Sequence, residues 1–426
     1  MTSTTTETSS ETEPAPTPGR IERPTRRPPT PRRFLADLGR HELVNGVVGA
    51  LFSMTGPVAV ILSVAQRGGL SQTVIASWVF AIFVLNGVLT VVASLVYRQP
   101  LGFAWTIPGT VVVGQALTSL SWPEVVGAYV LSALLMLGLG LTGMVSRLMR
   151  LLPMPVVMAM VAGVFLQFGI DLVLAVKGDA ALAAPMVLAF VAASALPRLG
   201  RWLPPILAGL VTGVVVVLLT GRIDPGSTAG PWLAEPVLQS PSFTWAAAVE
   251  LVVPLVITVL VVQNGQGMAV LSAAGHRPPM NTVTLACGLW SLPSAFVGGI
   301  STCLTGPTNA LLTASGERSR HYAAAVWFGV LAIGFGLTAP GMVRLMLEMP
   351  EAFVAALGGL AMLRALQGAF CTAFSGALVT ASLTSFLVTV SGVEFLNVGS
   401  AFWGLVAGLV VALLVERDEL VAARRG

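Results

Sequence analysis

Charge is scarce in this chain. Of its 426 residues only 10% are Asp, Glu, Lys or Arg, while 55% are hydrophobic; a soluble domain carries roughly 25% charged residues. So little charge cannot cover a water-facing surface, which excludes a soluble globular protein. Cysteine is almost missing as well. Cys287, Cys303 and Cys371 lie in or beside apolar segments, and their spacing offers neither a metal site nor a disulfide framework. The three histidines, His41, His276 and His321, sit near segment ends. No metal-ligand spacing or nucleophile–base pair accompanies them, which argues against a membrane enzyme. No phosphate-binding glycine loop is present, so ATP-driven transport would need another subunit. No apolar core follows the first Met, so no cleavable signal peptide is expected. No cofactor and no metal are expected.

What is abundant is apolar sequence. Mean hydropathy is +0.85, and apolar runs near the ~20 residues needed to cross a bilayer recur along most of the chain. Short alternating strands of the β-barrel kind are not seen. The expected fold is therefore an all-α polytopic membrane protein. Apolar segments are read at 42–66, 74–96, 107–120, 122–146, 154–176, 181–197, 203–220, 245–271, 280–298, 306–315, 321–340, 351–366, 368–390 and 396–415. This gives 14 transmembrane segments. The expected layout is a disordered cytoplasmic tail (1–40), a first repeat (41–220), an external linker (221–244), a second repeat (245–415) and a cytoplasmic tail (416–426).

Basic residues test that count. With the N-terminus in the cytoplasm and alternating sides, 19 of the 23 Lys and Arg fall inside. Only Arg67, Lys177, Arg222 and Arg344 fall outside. Such a bias is what the positive-inside rule describes, and it puts both termini in the cytoplasm. Seven arginines lie in the first 40 residues. Beside a membrane they set topology or touch anionic lipid rather than nucleic acid.

The two halves share features. "FSMTGPVAVILSVA" (52–65) lies over "VVQNGQGMAVLSAA" (261–274) at an offset of 209, and "AWTIPGTVVV" (104–113) over "TCLTGPTNAL" (302–311) at 199. Seven segments per half is an odd number, so the second copy enters the membrane from the other side. That is an inverted repeat, a common architecture of secondary transporters. Segments 3 and 10 are too short to span alone, and each is interrupted at a proline, Pro108 or Pro307. Proline suits the first helical position and pushes the residue before it toward extended geometry. Each is therefore expected as a half-helix preceded by a short extended strand, with free N–H groups on Gly109, Thr110, Thr308 and Asn309. Two such ends, each carrying about half a positive charge, would make an anion site. The alternative is that both are kinks for helix packing.

"VVQNGQGMAVL" adds Gln263, Asn264 and Gln266 to an apolar helix. Buried amides need partners, either as glue between helices or as substrate and gate contacts. Phe52 and Trp105 could stack on a ring or fill the core. The candidate substrate residues are thus Phe52, Trp105, Thr106, Pro108, Gly109, Thr110, Gln263, Asn264, Gly306, Pro307, Thr308 and Asn309. Glu250, about four helical turns before Gln263, is the candidate proton carrier, since an intramembrane carboxylate is a functional candidate by default.

"VQNGQGMAVLSAAGHRPPMN", "YRQPLGFAWTIPGT" and "TGPTNALLTASGERSRHYAA" resemble the benzoate:proton symporter (BenE-type) family, similar in fold to uracil and sulfate carriers. The resemblance covers nearly the whole chain after the tail. It implies a core and a gate domain, substrate bound between segments 3 and 10, and a small organic anion moved with a proton by alternating access. The family motif reads Gly-Pro-Glu-Ala-His where this chain has Thr308 and Ala310 at the Glu and His positions. The expected function is a secondary active transporter of benzoate or a related aromatic carboxylate in the cell membrane. A nucleobase or inorganic-anion carrier, or a channel, is the alternative, and a homodimer is left open.

Overall fold

The computed structural model describes residues 21–25, 27–145, 153–196, 203–222, 230–393, 395 and 400–425. Residues 1–20 of the expected tail, 223–229 of the linker, and Arg26, Arg147, Arg150, Arg198 and Arg201 lie outside the described residues. About 77% of the chain is helical. Helix is the answer apolar sequence gives in a medium without water, because it satisfies every backbone N–H and C=O within one segment.

The first bundle begins with α1 (Pro31–Asp37), α2 (Arg40–Met54), α3 (Gly56–Arg67) and α4 (Gln72–Tyr97). Strand β1 (Phe103–Trp105) then leads into α5 (Ile107–Ala116) and α6 (Trp122–Thr142). The second bundle opens with α7 (Met154–Gly178), α8 (Ala180–Ala195) and α9 (Pro205–Leu219). The chain returns to the first bundle with α10 (Trp245–Ala273), α11 (Met280–Phe296), β2 (Thr302–Leu304), α12 (Gly306–Leu312), α13 (His321–Leu337) and α14 (Ala339–Leu347). It ends in the second with α15 (Glu351–Phe374), α16 (Val379–Ser391), α17 (Ser400–Leu414) and a last helix, α18 (Arg417–Arg425). Among the described residues, seven helical stretches are long and apolar enough to cross a membrane, and five apolar helices are shorter.

Packing defines the bundles. Helices α7, α8, α9, α15, α16 and α17 pack on one another, whereas α11 packs on α6 and α13 packs on α2 and α4. The bundles meet where α3 lies against α15. There Gly56 approaches so closely that a Cβ on it would sit 2.4 Å from the Ala361 Cβ. Two helices are irregular at matching places. The backbone between α2 and α3 breaks at Thr55 (φ −103°, ψ −92°), and α10 widens into π-helix over Thr258–Asn264.

Order begins before residue 40, unlike the expected tail. Thr30 caps α1, and Asp37 is buried against Arg33, Arg98 and the Tyr322 hydroxyl. Glu22 accepts bonds from the backbone N–H of Asn281 and Thr282 at the start of α11. The expected C-terminal tail is likewise helical and docked: Glu416 and Glu419 accept N–H bonds from Thr380, Ala381 and Leu378 at the start of α16. Burial alone would raise the Glu416 pKa, but these backbone bonds outweigh it and hold it below the usual value. Carboxylates at helix N-termini are stabilising because they meet unsatisfied donors and the positive dipole end. The described part of the 221–244 linker is strapped down as well, Gln239 donating to Phe296 and Ala234 to Leu337 through backbone N–H groups.

Candidate functional site

Strands β1 and β2 pair antiparallel, Phe103 with Leu304, Ala104 with Cys303 and Trp105 with Thr302. All six are buried. A two-stranded ladder leaves one edge of each strand open, and at this depth the open edges need partners. Side chains of the surrounding helices supply them. At the first strand, the N–H of Phe103 donates to the Thr90 hydroxyl and that of Leu101, two residues before it, to the Ser94 hydroxyl, both on α4. On the second, Thr302 donates to Ser291 on α11, and its own hydroxyl reaches Asn86. Asn86, Thr90 and Ser94 recur every four residues, a polar stripe down one face of α4. That spacing is legible in the sequence but was not singled out there.

The two asparagines expected to meet substrate belong to this scaffold. Asn309 Oδ1 accepts from Gly102 N–H at 2.9 Å, while its Nδ2 donates to Gly102 C=O at 2.9 Å and Thr305 C=O at 2.6 Å. Asn264 Oδ1 accepts the Leu304 N–H at 2.7 Å. Both side chains hold backbone, and neither lines the spaces described below.

The N–H groups expected to be free are mostly engaged too. The Thr106 hydroxyl caps Gly109 at 3.1 Å and itself donates to Thr258 at 3.0 Å. The Thr110 N–H bonds the Thr106 carbonyl, and the Asn309 N–H bonds that of Thr305. The reason is positional: intrahelical bonding starts at the Thr106 and Thr305 carbonyls, so residues four further on are already inside the ladder. The Thr110 hydroxyl also returns to the Thr106 carbonyl. Gly109 packs against Thr106 and Leu255, and Gly306 against Gln266. Thr305, unlike Thr106, offers no side-chain cap to its helix.

Between the bundles lies a cavity of about 1080 Å³. Phe52, Pro108, Gln263 and Pro307 line it, bringing four of the expected residues together. The opposite wall is apolar, with Val161, Phe165, Phe190 and Leu360 from the second bundle. Gln263 Oε1 is buried without a hydrogen-bond partner. Behind Phe52 and Ile107 a small niche of about 10 Å³ lies between the two short helices, lined by Ser53, Trp105, Thr305 and Thr308. It is no larger than one water needs. The Ser53 and Thr308 hydroxyls stand 3.5 Å apart in it, and the Trp105 Nε1 is buried without a partner. The Trp105 ring packs edge-on against Phe83, centroids 5.0 Å apart.

Six candidates, Thr106, Gly109, Thr110, Asn264, Gly306 and Asn309, line neither space. Glu250 also lies outside both; it is buried on α10 and accepts a bond from the Ser119 hydroxyl just beyond α5. Conversely, Ser53, Thr305, Gln266 and Arg364 line these spaces without having been chosen as site residues. Gln266 was visible beside Gln263 as part of one amide cluster. Arg364 lies within α15 (Glu351–Phe374), where the sequence placed it close to the end of the 351–366 segment.

The model of a protein family described as "Benzoate membrane transport protein" matches residues 36–414. The chain is 29% identical over 389 residues to the Inner membrane protein YdcO of Escherichia coli (strain K12), covering 88% of this chain and 97% of that one. It is 29% identical over 383 residues to the Benzoate membrane transport protein of Acinetobacter baylyi (strain ATCC 33305 / BD413 / ADP1), covering 88% and 95%. Among solved structures it is similar to SLC26A9, with a TM-score of 0.62 at 13% identity over 88% of this chain. The match spans 65% of that chain's own length, and at such identity the likeness concerns the fold alone.

Proposed function

Because the chain belongs to the benzoate membrane transport protein family, we propose that it carries benzoate or a related aromatic carboxylate across the cell membrane by alternating access. The observation that carries this reading is the cavity between the bundles, apolar on its walls and amide-bearing where it meets the two interrupted segments. An aromatic acid has the same two-part chemistry. Its ring gains from burial against Phe52, Phe165 and Phe190, and its carboxylate needs donors such as Gln263, Gln266 and the Ser53–Thr308 hydroxyls. Phe52 and Ile107 border both the cavity and the niche, so their movement would join the two spaces.

The architecture proposed is fourteen crossings in two inverted halves, with α5 and α12 as half-helices. Three observations support it. The offset of 199 that aligns the two prolines also pairs Ala104 with Cys303, and these two residues face each other in the strand pair. A two-fold axis relating the halves would have to run through that pair. The offset of 209 likewise sets Met54 and Thr55 over Gln263 and Asn264, where α2 breaks and the π-helix of α10 ends. Finally, 19 of 23 basic residues fall on one side of this topology, so the Arg40 end of the cavity is taken as cytoplasmic, with both termini.

Proton symport is the coupling implied by resemblance, and Glu250 is the carrier assigned in this proposal, since Thr308 and Ala310 do not titrate. The test is uptake of radiolabelled benzoate into proteoliposomes under an imposed pH gradient. Accumulation above equilibrium is expected for the wild-type protein. For Glu250→Gln, loss of gradient-driven accumulation with benzoate exchange intact is expected. Wild-type protein that neither binds nor moves benzoate would overturn the substrate, and full accumulation by Glu250→Gln would remove Glu250.

A further inference from the structure

The charge lining the cavity is of one sign only. Arg40 on α2 and Arg364 on α15 both line it, one from each bundle. Among the described residues they are its only charged lining, and neither is joined to a carboxylate. Both are exposed to solvent. Other arginines near the same end do find acids: Arg33 and Arg98 bind Asp37, and Arg320 binds Glu317. An arginine at the lining without a carboxylate partner leaves its positive charge uncompensated there. Much of the remaining lining is apolar, Val44, Val48, Phe52, Val161 and Leu360 among it, and it holds two glutamines and no further charge.

We infer that Arg40 and Arg364 capture anions along the entrance to the cavity, Arg40 at the start of α2 and Arg364 part-way along α15, so that it admits organic monoanions and discriminates against neutral and cationic aromatics of the same shape. The inference rests on the transport reading above and adds a selectivity step before the site. A cleft with low-dielectric walls and charge of one sign focuses the field, raising the local concentration and on-rate of the opposite charge. Each guanidinium also offers planar donors suited to a carboxylate. The apolar stretch beyond them then favours passage of an anion that carries a ring, since a small hydrated anion gains nothing from those walls.

Such a site acts on capture rather than on residence. Association and dissociation rates of radiolabelled benzoate, salicylate and hexanoate, with benzamide as the neutral control, would be measured on nanodisc-embedded protein at low and high salt. In Arg40→Gln/Arg364→Gln, benzoate association is expected to slow by about three- to tenfold at low salt, a modest part of the range that steering spans. Dissociation should be unchanged. The difference should shrink below about twofold at 1 M salt, where the screening length is about 3 Å. Benzamide binding should not change, and Arg40→Lys/Arg364→Lys should restore most of the rate. Unchanged association in the double Gln variant would overturn the inference, as would a loss that salt and Lys leave untouched, which marks a packing role. If wild type ignores benzoate but captures salicylate or hexanoate with this arginine and salt dependence, the mouth site stands and the benzoate reading falls. If it captures no monoanion, both fall.

Discussion

Asn309 and Gln263 are both buried amides beside the interrupted segments, 0% and 4% exposed, and they do opposite things. Asn309 makes three bonds to the backbone of Gly102 and Thr305. Gln263 faces the cavity with its Oε1 unpartnered. The same contrast separates the whole strand crossing from the cavity floor. At the crossing, Thr90, Asn264 and Ser291 each hold a strand N–H, and Ser94 and Asn309 hold those of Leu101 and Gly102 just before β1. At the floor, amides and hydroxyls are left with little to bind. Polar groups that complete the backbone build the site, whereas Gln263 keeps its amide at the cavity lining, where its Nε2 donors rather than its Oε1 are the atoms that suit a carboxylate.

The largest effect should come from attacking the first set. Asn309→Ala leaves the N–H and C=O of Gly102 without their side-chain partner in a dry interior. Each such loss costs about 1–3 kcal/mol, a large share of ordinary net stability. We expect Asn309→Ala to lower the melting temperature in detergent sharply and to reduce membrane yield. Asn264→Leu, which removes the acceptor for Leu304 N–H, should do the same to a lesser degree. Native-like melting of both variants, together with weakened substrate binding, would erase the contrast and return the asparagines to the ligand.

Gln263 should behave the other way. Leu at this position removes an unpaired buried oxygen, so folding should be unharmed or slightly improved. Leu also removes the Nε2 donor proposed for the carboxylate; a hydrogen bond to a charged group is worth about 1.5–3 kcal/mol, so benzoate affinity should fall roughly ten- to hundredfold. Equilibrium binding and thermal melting measured on the same Gln263→Leu sample decide this. A loss of stability without a loss of affinity would move Gln263 into the scaffold. Gln263→Asn keeps the amide on a shorter arm and should recover part of the affinity.

The contrast marks how far the sequence could be read. The membrane class, the polar interruptions at Pro108 and Pro307 and the kinship with a transport family follow from composition and from motifs that local chemistry determines. The strands match the short extended stretches read before each proline, but the residue next to each proline, Ile107 or Gly306, is already the first residue of its helix rather than extended. What could not be read is which way each polar side chain turns. Gln263 and Asn264 are neighbours in sequence, and the π-helical stretch that contains both sends one to the cavity and the other to β2. Such widened turns depend on tertiary packing and carry no signature in the residues themselves. The docking of Glu22 on α11 was invisible for a similar reason, since its partners are backbone groups some 260 residues away.

The end of the cavity opposite Arg40 gives the smallest predicted effect and sharpens the comparison further. There polar groups are engaged but remain in reach of water. Arg67, at the end of α3, reaches Asp171 on α7 at 3.3 Å, and the two side chains are 47% and 22% exposed. The guanidinium also donates to the Ser63 hydroxyl and lies over the Phe168 ring at 5.5 Å. Gln167 holds the other Asp171 oxygen at 2.8 Å. This pair ties the two bundles together on the side away from the open mouth, so its loss should favour opening there. Partly exposed ion pairs are worth about 0.2–1 kcal/mol, which corresponds to a shift in the balance of the two states of at most about fivefold. In Asp171→Asn, a cysteine at Val48 on the cavity wall should therefore label roughly two- to fivefold more slowly with an impermeant thiol reagent applied from the Arg40 side, in a background without Cys287, Cys303 and Cys371. High salt should reproduce part of that change in the protein with Asp171 intact, because screening weakens the pair without removing it. Equal labelling with and without Asp171, at low and high salt, would mean the bundles are held at that end by the packing of Gly56 against Ala361 alone.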